Sequence, residues 1–166
     1  MNLIVDDIKW QLNNYPESKF VITGLDRCGK STFLSKFAEY KTYKENRALP
    51  IHPGDINWRF RVFDRYPLIE AFVNTYGNGT GELSDKLVLS HIINMMKSEF
   101  KNSVFLFNYY PRYRHLRDDD DIKSSQFDSL YISRYHMVAM AIKDNIEGAI
   151  VIERHQNFII RYQNDK

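Results

Sequence analysis

Residues 24–32, with the sequence GLDRCGKST, constrain the chain more than any other stretch. They match the pattern G-x-x-x-x-G-K-[ST], whose glycines let the backbone come close to a polyphosphate. Lys30 is expected to reach the outer phosphates, and the hydroxyl of Ser31 is expected to bind Mg2+. The predicted phosphate-binding residues are Gly24, Leu25, Asp26, Arg27, Cys28, Gly29, Lys30, Ser31 and Thr32.

The flanking sequence supplies the strand and the helix that this motif requires. Residues 19–23, KFVIT, form a short apolar run that favours a buried parallel strand. After the loop, apolar residues recur at helical spacing from Phe33 to Tyr40. The alternative, an accidental glycine-rich turn, does not account for this order of strand, loop and helix.

Apolar runs and amphipathic stretches alternate along the rest of the chain. Further strands are predicted within residues 48–51, 58–63, 103–107 and 148–152, helices within 4–12, 68–76, 83–100 and 125–142, and a flexible loop at 77–81. Ser125, with Asp128 three residues later, is a helix-start signature. This alternation predicts an α/β fold in three layers, in which helices flank a mostly parallel sheet of about five strands.

Composition and charge limit the classes of protein that fit. A chain of 166 residues with 43% hydrophobic and 27% charged residues fits one soluble domain, residues 1–166, with an N-terminal helical extension at 1–18. The single cysteine, Cys28, excludes an intrachain disulfide framework. No signal peptide and no membrane-spanning run is recognisable, so we expect a cytoplasmic protein without a membrane partner. A net charge of +2 does not favour duplex nucleic acid, although it leaves nucleic acid and a homodimer open.

Two charged segments are further candidates for a site. Asp64 and Arg65 follow the predicted strand at 58–63, and ligands of open α/β sheets bind beyond the carboxyl ends of strands. The pair could be a structural salt bridge, but its place downstream of a phosphate loop favours function. The second segment contains Arg112, Arg114 and Arg117, followed by four aspartates, Asp118 to Asp121. The aspartates are interpreted as a solvated run, because consecutive carboxylates do not converge on a metal.

Three features resemble the thymidylate kinase family, within the nucleoside and nucleoside monophosphate kinases. The phosphate loop has an Asp–Arg pair inside its glycine frame, residues 64–66 match the family's D-R-Y motif, and the arginine-rich segment at about 109–124 is similar to its lid. They span residues 19–117 in the family's order. The resemblance implies a P-loop kinase fold, ATP and Mg2+ as cofactors, and transfer of the γ-phosphate to a nucleoside monophosphate in nucleotide biosynthesis.

The resemblance also implies a role for individual residues. Lys30, Arg27 and Asp64 are the implied catalytic residues, with Arg27 neutralising the transferring phosphoryl group. Ser31 and Asp64 are the implied metal-site residues. Acceptor binding is implied for Asp26, Asp64, Arg65 and Phe72, of which Arg65 grips the acceptor phosphate and Phe72 stacks on the base. The implied lid residues are Arg112, Arg114 and Arg117.

The sequence departs from the family pattern in ways that leave the acceptor open. Ile69 stands where family members often have a serine, and the thymine-reading arginine has only Arg47 as a counterpart. A phosphate acceptor is mostly a dianion at pH 7 and needs no general base, whereas a hydroxyl acceptor needs one, for which Asp64 is suitable. A kinase for nucleosides, nucleic-acid ends or modified bases is therefore an alternative. A nucleotide-regulated binding module is disfavoured, because Pro67 occupies the place of a switch glycine.

Overall fold

The computed structural model describes residues 2–25, 29–44, 60–75, 81–109 and 121–164. The helices in these ranges are α1 (Asn2–Asn14), α2 (Lys30–Leu34), α3 (Pro67–Thr75), α4 (Gly81–Met96) and α5 (Asp121–Asn145). The strands are β1 (Phe20–Gly24), β2 (Thr42–Lys44), β3 (Val62–Asp64), β4 (Val104–Asn108), β5 (Ile150–Arg154) and β6 (Ile159–Gln163). No helix in the described parts of the chain is both long and apolar enough to cross a membrane.

The strands form one sheet in the order β2–β3–β1–β4–β5–β6. The first five are parallel, and β6 runs antiparallel to β5. In the centre of the sheet, Phe20 of β1 lies opposite Val62 of β3 on one side and Val104 of β4 on the other. The fold is therefore of the α/β class, with a mostly parallel sheet flanked by helices, as the sequence predicts.

Side chains of β1 alternate between two hydrophobic clusters, one on each face of the sheet. Val21 packs in a cluster with residues of α3, α4 and α5, whereas Phe20 and Ile22 pack with α1 and with Phe33 and Phe37 around α2. The strand is buried along its whole length because both faces are covered. For this reason its sequence is a continuous apolar run rather than an alternation.

Several elements differ from the sequence prediction. Strand β2 is additional to the predicted strands, and α2 ends at Leu34 before a short 3-10 turn instead of continuing to Tyr40. The prediction that α5 starts at Ser125 is wrong, since the helix already begins at Asp121 and Ser125 lies inside it. Gly81, which the sequence places in a loop, is the first residue of α4. The strand predicted at 48–51 and most of the loop at 77–81 lie outside the described residues.

Gly24 and Gly148 differ in the atom that an added Cβ would clash with. Gly24 has φ +126°, and a Cβ there would lie 2.0 Å from the backbone oxygen of Asn108. Gly148 has φ +70°, and its Cβ would lie 2.0 Å from Oδ1 of the Asn102 side chain. A backbone oxygen inside a sheet cannot move away, whereas a side-chain amide can rotate.

We therefore predict that Gly24→Ala destabilises the protein more than Gly148→Ala. The first should cost ~3 kcal/mol or more through overpacking and backbone strain, and the second ~1–2 kcal/mol through the positive φ. Urea unfolding followed by circular dichroism measures both free energies. Equal losses would show that the sheet relaxes around Gly24.

Candidate functional site

The phosphate loop starts at the carboxyl end of β1. Gly24 is the last residue of the strand, and the backbone N–H of Leu25 donates to the carbonyl of Asn108 at the end of β4, at 3.0 Å. Gly29 has a left-handed conformation, with φ 75°, directly before α2. A side chain at Gly29 would be strained, so both glycines of the motif stand where the backbone needs them. Asp26, Arg27 and Cys28 lie outside the described residues.

Lys30 is directed back over this loop. Its ammonium Nζ donates to the carbonyl of Leu25 at 3.2 Å and is only partly exposed. The cation is thus held between the two glycine positions, where a phosphate group would need it. Ser31 and Thr32 follow it in α2, and both are exposed. The glycine conformations and the position of Lys30 fit a polyphosphate chain.

Asp64 and Arg65 lie next to the phosphate loop because β3 pairs with β1. Asp64, the last residue of β3, is partly exposed and lies opposite Ile22 of β1. Arg65 has φ 68°, a left-handed conformation that costs a residue other than glycine ~1–2 kcal/mol. Its backbone N–H donates to the carbonyl of Ile22 at 2.9 Å, which helps to hold this turn.

The side chain of Arg65 belongs to a buried polar network around Glu70. Arg65 Nη1 donates to Glu70 Oε2 at 3.2 Å and to the hydroxyl of Tyr135 at 2.9 Å. That hydroxyl donates to Glu70 Oε2 at 2.7 Å, and the Thr23 hydroxyl donates to Glu70 Oε1. Burial and the neighbouring Glu70 carboxylate raise the pKa of Tyr135 well above its usual range. Tyr135 therefore keeps its proton at neutral pH.

A second buried carboxylate, Glu153, lies near the carboxyl end of β5. It is 1% exposed, and it accepts the Tyr109 hydroxyl at 2.6 Å and contacts His136 Nδ1 at 2.8 Å. Burial, followed by the hydrogen bond to Glu153, raises the pKa of Tyr109 far above its usual range. The ring of Tyr109 also meets His155 edge to face, with centroids 5.1 Å apart. Both carboxylates thus contact α5, through the adjacent residues Tyr135 and His136.

Sequence analysis missed Glu70, Tyr135 and Glu153. Glu70 is the one charged residue in PLIEAFV, the otherwise apolar start of α3, and Glu153 follows the apolar run of β5. A lone carboxylate on an apolar element is a recognisable signal, because a buried carboxylate needs partners. Tyr135 gives no such signal, since its spacing is that of a core residue. Its hydrogen bonds depend on its hydroxyl, and the spacing of apolar residues along the sequence gives no information about that group.

Other predicted site residues are placed elsewhere or are not described. Phe72 is 2% exposed and packs in the hydrophobic cluster with α4 and α5, an environment that favours a core role over stacking on a base. Arg47, Arg112, Arg114 and Arg117 lie outside the described residues, as do Asp118 to Asp120. Within the described ranges, no three His, Cys, Asp or Glu side chains are grouped as a metal site.

The sequence matches no protein-family model and no curated protein. Among solved structures, the chain is similar to the YorR protein from Bacillus subtilis, whose crystal structure is in complex with phosphorylated GDP. The two chains are 18% identical, and the match covers 82% of this chain and 85% of YorR with a TM-score of 0.48. A likeness of this size says nothing about the site, whose assignment depends on the geometry above.

We predict that Lys30→Ala weakens the binding of ATP–Mg2+ by about ten- to a hundredfold, because a hydrogen bond to a charged phosphate is lost. The fold should persist, since the ammonium is partly exposed and its contact to Leu25 is local. Isothermal titration calorimetry gives the affinity, and thermal unfolding checks the fold. Lys36→Ala, an exposed lysine in the 3-10 turn after α2, is the matched control. Unchanged affinity in a folded Lys30→Ala variant would contradict the phosphate-loop assignment.

Proposed function

We propose that the protein is a phosphotransferase that moves the γ-phosphate of ATP to a nucleoside monophosphate. The observation that carries the proposal is the pairing of β1 with β3, which brings the glycine–lysine loop and the Asp64–Arg65 pair to the same edge of the sheet. Phosphoryl transfer requires charge neutralisation on both sides of an in-line displacement, and little covalent help. A phosphate-binding loop for ATP next to an arginine for the acceptor would meet that requirement.

On the donor side, Gly24, Gly29 and Lys30 would bind the polyphosphate of ATP. Ser31 and Asp64 would hold Mg2+, which supplies positive charge to the phosphate oxygens when it is bound. Arg27 would stabilise the charge that develops on the transferring group, in line with the resemblance of the loop to that of thymidylate kinases. Ser31 is exposed and Asp64 is partly exposed, as ligands of an exchangeable metal need to be.

On the acceptor side, Arg65 would bind the phosphate and Asp26 the sugar. The guanidinium of arginine suits a phosphate because it offers several donors in one plane. The burial of Arg65, 6% exposed, strengthens such a contact because water screens it less. We also propose one domain over residues 1–166, with Arg112, Arg114 and Arg117 in a lid over both substrates.

One observation favours a second candidate, a kinase whose acceptor is a nucleoside hydroxyl. The 3.2 Å contact between Arg65 and Glu70 partly neutralises the cation that a phosphate acceptor would need. With Asp64 nearby, the three side chains of Arg65, Glu70 and Asp64 together carry an excess of negative charge, which suits a neutral acceptor. In that case Asp64 would act as the general base for the hydroxyl.

A substrate screen with two variants separates these candidates. ATP–Mg2+ is supplied with each nucleoside or its 5′-monophosphate, and ADP release is measured. Arg65→Lys keeps a positive charge beside Glu70 but removes the planar fork, so a monophosphate kinase should show an acceptor KM at least about thirtyfold higher. Arg161→Ala, an exposed arginine on β6, is the control.

The hydroxyl-acceptor candidate gives a different pattern. Nucleosides should then be used at least as well as their 5′-monophosphates, whose 5′-hydroxyl is already esterified, and Arg65→Lys should leave the nucleoside KM unchanged. Turnover by Asp64→Asn should fall by about a hundredfold or more, as expected for loss of a general base. Loss of a Mg2+ ligand would lower turnover in either candidate, so the substrate preference and the effect of Arg65→Lys decide between them. If no nucleoside or nucleotide accepts phosphate from ATP, both candidates fail.

A further inference from the structure

A cleft of about 460 Å3 lies between α1 and the strands β4, β5 and β6. Its floor contains Val104 and Ile150, the first residues of β4 and β5, and its rim contains Gln163, which lies opposite Ile150 on β6. The cleft is therefore at the amino-terminal ends of the parallel strands, whereas the phosphate loop follows the carboxyl end of β1. Its volume is within the range of small-molecule sites, about 300–1,000 Å3.

The cleft also lies on a different face of the sheet from the Glu70 network. Ile8 of α1 and Ile152 of β5 line it, and both belong to the hydrophobic cluster that contains residues of α1 and α2. The helices α3, α4 and α5 cover the other face. A ligand in the cleft would therefore leave the proposed ATP and acceptor positions unoccupied.

An exposed aromatic wall borders the cleft on the side of α1. Trp10 lines it and is 59% exposed, and Tyr15, just after the helix, lines it and is exposed as well. Folded chains usually bury most of a tryptophan, because its large ring contributes much contact area when it is covered. The indole of Trp10 thus offers a flat apolar surface on which a planar ring could stack.

Three side-chain amides in the cleft have hydrogen-bonding groups to spare. Gln11 is 6% exposed, and its Nε2 donates to the backbone carbonyl of Asn102 at 2.9 Å. Among the residues that the structure describes, nothing donates to Gln11 Oε1, and this oxygen keeps access to solvent. The side-chain amides of Asn102 and Gln163 line the same cleft and make no hydrogen bond within the described ranges. A buried amide oxygen that opens on a cleft is a natural acceptor for a donor group of a ligand.

The charges around the cleft favour an uncharged ligand. Asp7 on α1 and Arg161 on β6 line it, and neither forms an ion pair with another described residue. Their charges cancel, which disfavours a phosphorylated nucleotide, a dianion at pH 7. Both side chains are exposed, so salt screens them, and an amino-acid zwitterion would gain little from them. The buried amide oxygen of Gln11 and the ring of Trp10 then decide which ligand binds.

We propose that this cleft is a second ligand site, which binds a neutral nucleoside with its base stacked on Trp10 and an N–H group of the base bonded to Gln11 Oε1. Nucleobases have π-faces that stack on aromatic side chains, and donor–acceptor edges that match side-chain amides. The inference goes beyond the proposed phosphotransferase function and does not depend on it, because the two sites lie at opposite ends of the strands.

Fluorescence titration tests the binding directly. The two tryptophans of the chain are Trp10 and Trp58, so Trp58→Phe leaves Trp10 as the reporter, and a stacked base should quench its emission. Adenosine, guanosine, cytidine and thymidine are titrated in the presence of saturating ATP–Mg2+. At least one of them should quench Trp10 with a dissociation constant below ~1 mM. If none does, or if L-phenylalanine binds more tightly than all four, the proposal is wrong.

Two variants locate the bound nucleoside by isothermal titration calorimetry. Trp10→Ala should weaken its binding about five- to a hundredfold, the range for loss of one stacked aromatic side chain, and Trp10→Phe should recover most of that loss. Gln11→Met keeps the side-chain volume, removes the acceptor and should weaken binding about three- to tenfold, with thermal unfolding as the check on folding. Phe158→Ala is the control, because this ring is 55% exposed but lies outside the cleft. Its affinity should equal that of the wild type.

Kinetics separate this site from the proposed acceptor site. Trp10→Ala should leave kcat and the KM of the best acceptor within about twofold of the wild type, because the cleft is remote from the phosphate loop. Nucleoside binding that persists unchanged in Trp10→Ala would place the ligand elsewhere and overturn the inference. An acceptor KM that rises as much as the nucleoside affinity falls would make the cleft the acceptor site, which also overturns it. If ATP phosphorylates no acceptor, the proposed function fails, whereas the titrations still decide the inference.

Discussion

The close approach of Gly24 to the backbone of Asn108 determines where the site can form. At Gly24, the last residue of β1, the backbone lies so close to β4 that no side chain fits between the two strands. The chain turns into the phosphate loop at this point, and the backbone N–H of Leu25 is then bonded to the end of β4. Because β1 also pairs with β3, the same strand end fixes the distance from the loop to Asp64 and Arg65. A shift of one residue would reverse which side chains of β1 face each cluster.

Two buried carboxylates, Glu70 and Glu153, lie near the carboxyl ends of the strands, on one face of the sheet. Glu70 and Glu153 are each satisfied by hydroxyl and nitrogen donors, at the end of a layer that is otherwise apolar. A buried carboxylate without partners would cost several kcal/mol, so these networks hold their members in place. Such rigidity would suit the proposed phosphotransferase site, because fixed charges need no rearrangement during transfer.

The sequence predicts the class of the fold, whereas the chemical roles of the site residues stay predictions. The phosphate loop and β1 are recognisable because this glycine spacing rarely follows a continuous apolar run by chance. The antiparallel β6 escapes prediction, because an edge strand with one exposed face has little hydrophobic signal. The predicted start of α5 is four residues late, since Ser125 and Asp128 resemble a cap although the helix begins at Asp121. The partners of Arg65 are not predictable, because Glu70 and Tyr135 are far apart in sequence and only the folded chain joins them.

The adjacency of Tyr135 and His136 has a mechanical consequence for α5. Consecutive residues of a helix point about 100° apart around its axis, so these two side chains reach carboxylates on two different elements, α3 and β5. Rolling the helix in one direction would stretch the bond to Glu70, and rolling it in the other would stretch the contact to Glu153. The two contacts therefore oppose rotation of the helix near its midpoint, whereas bending or sliding along the axis meets less resistance from them.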